Sequence, residues 1–293
     1  MKRPGNIPGS NPLLRTAYLM FRRYLGHGVS IQSAALAFYL LFTVFPLLIF
    51  FSALLGQLHL EQGELLAGLT RFLPAEVLDF AAAYLDYAAR NSSVRLLLFG
   101  LFFSLYFPMR ATNTLMRAVR TAYRLGPPRA PVRHILRTLL YTVMLIVTVV
   151  LTLILLTAGR RLVDFAAAEL GLPVEIALLW RRLRFPVTAL LMYFALFMLY
   201  AMAQDGRRSV GDLWPGTVFA LLGWMAASML YSLYVERIAS YSLLYGSLGT
   251  AVVLLIWLYL TAAVLIMGAE FNGTLIALRR ERLSGRTEGE CSP

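Results

Sequence analysis

A chain of 293 residues that is 59% hydrophobic and 14% charged is not an ordinary soluble domain, which carries about 45–50% apolar and roughly a quarter charged residues. Its formal charge of +12 is almost all arginine, Lys2 being the sole lysine. No base-stacking module or finger spacing accompanies that charge, so nucleic acid is not an expected partner. Cys291 is the single cysteine, which excludes an intrachain disulfide and a cysteine-built metal site.

The first dozen residues are rich in proline and glycine and read as disordered. Over 13–26, Leu14, Tyr18, Phe21 and Leu25 recur at helical spacing among Arg15, Arg22 and Arg23, which predicts a basic amphipathic helix on the cytoplasmic membrane surface. No cleavable signal is expected, because the first apolar run is too long for one. That run, 33–57, is uncharged and predicts the first membrane span. Pro46 lies inside it and is either a packing kink or a transport hinge. The segment 58–91 is too polar to span. It predicts two amphipathic helices parted by Pro74 and made acidic by Glu61, Glu64, Glu76, Asp79 and Asp86.

The second span, about 94–116, is long enough only if the helix continues past Pro108. Arg110, Arg117, Arg120 and Arg124 then return to one helix face, as a solvated edge or as a surface for phosphate headgroups. A Gly126-Pro127-Pro128 break precedes the third span, about 135–158. The charged stretch 159–184 predicts two short helical pieces around Gly171-Leu172-Pro173. The fourth and fifth spans are about 185–203 and 213–235, and Trp214-Pro215-Gly216 opens the fifth.

The last span, about 246–270, is the most apolar. Positions 250–267 carry no charge, and Gly246 and Gly249 flank the entry as candidate hinges or close-packing points. Glu270 ends the run. A carboxylate there needs water or a partner, and the expected partner is Arg110 or Arg117 at the matching end of the second span, supported by Asn113 and Asn272. Glu270, Asn272, Arg110, Asn113, Arg117, Arg120 and Arg124 are thus the candidate substrate or headgroup residues, as a structural pair with its surroundings or as a proton or headgroup site.

The chain therefore reads as an all-α integral membrane protein of six transmembrane helices with amphipathic interfacial helices. A cytoplasmic segment 1–32 precedes a membrane domain 33–275, and a basic cytoplasmic tail 276–293 follows. With both termini inside, the cytoplasmic segments hold about twice the Arg and Lys of the outer ones, as the positive-inside bias requires. His27, His59 and His134 lie in three separate segments. No HExxH, Walker or nucleophile-elbow pattern occurs. No catalytic residue, metal or cofactor is expected.

Several stretches resemble the YihY/BrkB family of bacterial inner-membrane proteins. They are Ala34-Ala35-Leu36-Ala37-Phe38-Tyr39 through Phe45-Pro46-Leu47-Leu48, then Ala122-Tyr123-Arg124 and Trp214-Pro215-Gly216. The last span adds Tyr245-Gly246-Ser247-Leu248-Gly249, Trp257-Leu258-Tyr259 and Gly268-Ala269-Glu270. Phe38, Thr43 and Arg120 stand where that pattern has tyrosine, serine and asparagine. The resemblance implies a six-helix protein of the bacterial inner membrane, in a family that carries old ribonuclease BN and virulence-factor labels. It points to a transporter or lipid-handling role in envelope biogenesis, with membrane lipids and periplasmic envelope-assembly proteins as partners. The alternative is a non-transporting scaffold for envelope assembly.

Overall fold

A computed structural model describes residues 12–58, 93–128, 130–170, 174–204, 209–237 and 241–290. These form helices α1 (Pro12–Gly26), α2 (Val29–Leu58), α3 (Val94–Ala122), α4 (Pro131–Leu170), α5 (Val174–Ala203), α6 (Trp214–Arg237) and α7 (Tyr241–Glu290), with a short 3-10 turn Val210–Asp212 before α6. Among the described residues there is no strand. Six of the helices, α2 to α7, are long and apolar enough to cross a membrane. Lipid offers backbone groups no hydrogen bonds, so a chain of this composition satisfies them within helices. The acidic segment expected to form two helices lies outside the described residues.

The helices overrun the apolar stretches. α3 continues through Pro108 to Ala122, and α4 starts at Pro131 and runs to Leu170. The two short pieces expected around 171–173 are instead the ends of α4 and α5. α7 runs to Glu290, far beyond the apolar stretch. Charge ends a hydrophobic run but not a helix, because the backbone bonds from each N–H to the carbonyl four residues back can continue past the last apolar side chain.

α2 packs most extensively on α3, α6 and α2 pack on α7, and α4 packs on α5. Glycine sets two of these approaches. A Cβ at Gly100 would lie 2.6 Å from the backbone nitrogen of Phe50, so α3 and α2 touch through main chain. α6 and α7 cross where Gly216 meets Gly268, each against the other's carbonyl oxygen. Tyrosine hydroxyls tie the bundle further. Tyr141 donates to the Ala195 carbonyl at 3.0 Å, Tyr200 to Leu265 at 2.6 Å and Tyr231 to Val253 at 2.5 Å. Tyr231 thus points into the bundle, whereas Tyr234 remains exposed.

α1 is amphipathic in an unusual sense. Leu14, Tyr18, Phe21 and Leu25 share a face, as their spacing predicts, and all four point away from the protein. The opposite face, Met20, Arg23 and His27, is the one that docks. A turn with Gly28 in the left-handed region (φ 62°) then leads into α2.

Candidate functional site

At the end of the bundle where α1 docks, α3 and α5 finish and α6 begins. Each of these termini leaves backbone groups without intrahelical partners. In a membrane protein such groups need partners from elsewhere, and three buried polar side chains supply them.

Arg23 of α1 is the first. Its Nη1 donates to the carbonyl of Ala122, the last residue of α3, at 3.1 Å and to Glu270 Oε2 at 3.2 Å, while Nη2 donates to the Gly273 carbonyl at 3.1 Å. Arg120 is the second. It is 4% exposed and donates to the carbonyl of Ala203, the last residue of α5, at 2.8 Å and to that of Gly126 at 2.6 Å. Asn272 is the third and is fully buried. Its Oδ1 accepts from the Gly216 amide, in the first turn of α6, at 2.6 Å, and its Nδ2 donates to the Leu213 carbonyl at 2.8 Å and the Tyr123 hydroxyl at 3.1 Å.

Glu270 is the anion of this layer. It is 1% exposed, with Arg23 on one oxygen and His27 Nδ1 on the other at 2.5 Å. A carboxylate only accepts, so Nδ1 is the ring nitrogen that carries the proton. Gly273 completes the fit, because a Cβ there would overlap the Ala122 carbonyl and crowd Arg23. Lower on α7, Tyr24 hydrogen-bonds Tyr259, which together with partial burial raises the Tyr24 pKa above its ordinary value. Ser30 meets the same Tyr259 hydroxyl at 2.9 Å. Further along, Arg15 pairs with Glu281 at 2.6 Å. The α1–α2 elbow is therefore fastened along a long stretch of α7.

Glu270 does not meet Arg110 or Arg117. Arg110 lies about 18 Å along α3 from Ala122. Its Nη2 reaches the Tyr39 hydroxyl at 3.4 Å, and its guanidinium carbon sits 5.5 Å from the Tyr39 ring centre. Arg117 and Arg124 are exposed, and Arg124, two residues past the end of α3, lies in the left-handed region with φ 54°. Arg120 leaves their stripe, because its position is turned roughly 80° from that of Arg110 on the helix wheel, enough to bury it. Asn113 is apart from Glu270 as well, its Oδ1 meeting His134 Nε2 at 3.0 Å. Pro46 and Gly249 are buried in α2 and α7, and the surroundings of Gly246 fall outside what the structure describes.

Arg23, His27, Tyr123, Gly216 and Gly273 belong to the layer and are not among the candidate site residues, although Tyr123 and Gly216 lie in motifs that carry the family resemblance. For the first two a signal existed. They are four residues apart on the face of α1 opposite the apolar stripe, so one helix presents a paired cation and imidazole in a single direction. Among the described residues, no three His, Cys, Asp or Glu side chains come together as metal ligands would. This layer can orient helices and hold charge away from lipid, since every group in it that carries charge is met by another.

A bundle of six membrane-crossing helices closed at one end by buried side-chain caps defines a multi-pass helical membrane protein. The family model for virulence factor BrkB matches residues 20–289, and the chain belongs to that family. It is 30% identical over 256 residues to the ribonuclease-like protein YfkH of Bacillus subtilis strain 168, which covers 87% of this chain and 93% of YfkH. A UPF0761 membrane protein of Cronobacter sakazakii is 31% identical over 101 residues, 34% of this chain and 35% of that protein. YihY of Escherichia coli O1:K1 is 29% identical over 104 residues, 36% of each. The chain thus matches about a third of the length of these two proteins. No solved structure matches it.

Proposed function

We propose that this protein handles lipid in the bacterial inner membrane, with both termini in the cytoplasm, and that its working surface is the flank of the bundle rather than a passage through its centre. One observation carries this reading. Glu270, Arg23 and Arg120 at the α1 end are packed and bonded within the protein, whereas Arg110, Arg117 and Arg124 are exposed on one side of α3 and just beyond its end. An amphiphile travelling in the bilayer meets that flank, and a solute seeking an axial path at the α1 end meets Glu270, Arg23 and Asn272 already occupied. The role requires no bond-breaking chemistry, so the ribonuclease-like name of YfkH does not extend to the activity proposed here.

Reconstituted into vesicles, the protein should raise the rate at which a fluorescent phospholipid crosses the bilayer by about tenfold over protein-free vesicles, while a labelled RNA incubated with the same preparation stays intact. A crossing rate equal to that of empty vesicles would reject the lipid reading, and metal-dependent RNA cleavage that co-purifies with the protein would reject its non-enzymatic part.

Orientation is tested separately. In intact spheroplasts an impermeant thiol reagent should modify a cysteine placed at Gln62 and leave Cys291 unmodified. The opposite pattern would invert the topology.

A further inference from the structure

We infer that Arg110 and Tyr39 form a binding site for the phosphate headgroup of an anionic lipid, set within the membrane-spanning part of the bundle and entered from the side. The inference rests on the lipid-handling reading above and names its ligand class and its residues.

Arg110 lies well inside the span Val94–Ala122, about 24 Å along the axis from Val94 and 18 Å from Ala122. It is nevertheless exposed. A cation at such depth ordinarily turns inward to an acidic partner, and among the described residues Arg110 has none. Its polar contact is the Tyr39 hydroxyl, with the Tyr39 ring beside the guanidinium. One contact of this kind leaves most of the five guanidinium N–H donors open in a planar fork suited to phosphate. Tyr39 holds the side chain in place and adds the attraction of its ring face.

The approach to this site is polar. Thr114, Arg117 and Thr121 follow Arg110 at intervals of three or four residues, so they line one side of α3 toward its end, and Arg124 is exposed just beyond that end. The hydroxyls of Thr114 and Thr121 donate to the carbonyls of Arg110 and Arg117 within the helix, at 2.9 and 3.1 Å. These threonines therefore sit in the stripe without an unmet donor, while the open positive charges are Arg110, Arg117 and Arg124. Beyond Arg110 the same flank changes character. Phe38, Phe42 and Tyr106 are exposed there, with Phe42 packed on Phe107 at 5.8 Å and Phe38 on Tyr39 at 5.7 Å. A basic, polar half joined to an aromatic half matches a molecule with an anionic head and an apolar body. The aromatic half offers a free anion nothing but can hold the apolar body of an amphiphile, which favours a lipid phosphate over a free one.

The test is competition in mixed micelles of equimolar phosphatidylglycerol and phosphatidylcholine, with lipid retained on the full-length protein counted by native mass spectrometry. Wild-type protein should retain at least about five times more phosphatidylglycerol than phosphatidylcholine. Arg110→Gln should bring that ratio close to one, and Arg280→Gln, the same charge change at the exposed end of α7, should leave it intact. An unaltered ratio in Arg110→Gln overturns the site. Millimolar inorganic phosphate should not displace the lipid, and displacement would overturn the lipid assignment in favour of a soluble anion.

If Arg110→Gln does not fold, a Phe42→Trp reporter with Arg110 in place decides. Its fluorescence should be quenched by brominated phosphatidylglycerol at mole fractions where brominated phosphatidylcholine has little effect, and equal quenching rejects the site. Preference for phosphatidylglycerol without lipid movement in vesicles would reject the proposed function and leave this site standing. Movement without preference would reject the site alone.

Discussion

Gly216→Ala should abolish most of the folded protein. The added methyl would overlap the Gly268 carbonyl and press on the Asn272 side chain, and these neighbours are backbone and a buried, fully bonded amide. Overpacking a core ordinarily costs about 1–3 kcal/mol because side chains shift to make room. Here the obstacle is main chain, so α6 and α7 must part, and the amide bond from Gly216 to Asn272 goes with them. A loss above about 3 kcal/mol is expected, seen as at least a tenfold drop in monodisperse protein on size-exclusion chromatography. Gly26→Ala is the control, since nothing lies within 4 Å of the Cβ it adds. Wild-type yield and melting temperature in Gly216→Ala would show that the two helices do not meet as described.

Glu270→Gln has the next largest expected effect, and its pattern matters as much as its size. Removing one partner from a buried ion pair costs about 3–5 kcal/mol, because the other charge is left uncompensated. Arg23 is 10% exposed and would lose its anion. Arg23→Ala should be comparably damaging, since it also strips the Ala122 and Gly273 carbonyls of their donor. The double variant should be no worse than the poorer single one, as befits groups acting together. Arg110→Ala should instead add its full cost to that of Glu270→Gln, because the two residues share no partner. Reversible unfolding in mixed micelles measures the three single variants and the two doubles. Additive losses for Arg23 and Glu270, or coupling between Arg110 and Glu270, would contradict the pairing.

The membrane-crossing helices were legible because lipid forces long uncharged runs into one kind of structure. Their lengths were less so. The apolar runs end near 116 and 158, whereas α3 and α4 continue to Ala122 and Leu170. That difference explains the misplaced partner of Glu270. If the inner end of the second span lies near Arg117, Arg110 and Glu270 fall at similar depth. With α3 ending at Ala122, the carbonyl at its terminus sits beside Glu270 and Arg110 is several turns away.

Glu270 itself was readable, since a carboxylate closing an apolar run demands compensation wherever it comes from. Arg120 was read as one of a stripe because four arginines nearly share a face. Only packing shows that a rotation of roughly 80° carries it inside to the end of α5. The caps were harder to foresee. A buried asparagine that accepts from the first turn of another helix leaves no mark in the spacing of either segment.

The polar layer also has a direction in time. A ribosome delivers α1 first and α7 after the other described helices, yet the anion facing Arg23 and the amide meeting Gly216 both belong to α7. Until that helix enters the bilayer, the guanidinium of α1 has no counter-charge there and the start of α6 lacks its cap. The earlier helices can therefore insert, but they cannot settle into their final arrangement. Arrival of the last one converts a loose set of spans into a finished bundle, since a chain halted before Glu270 leaves Arg23 without its carboxylate and the Gly216 amide without its acceptor.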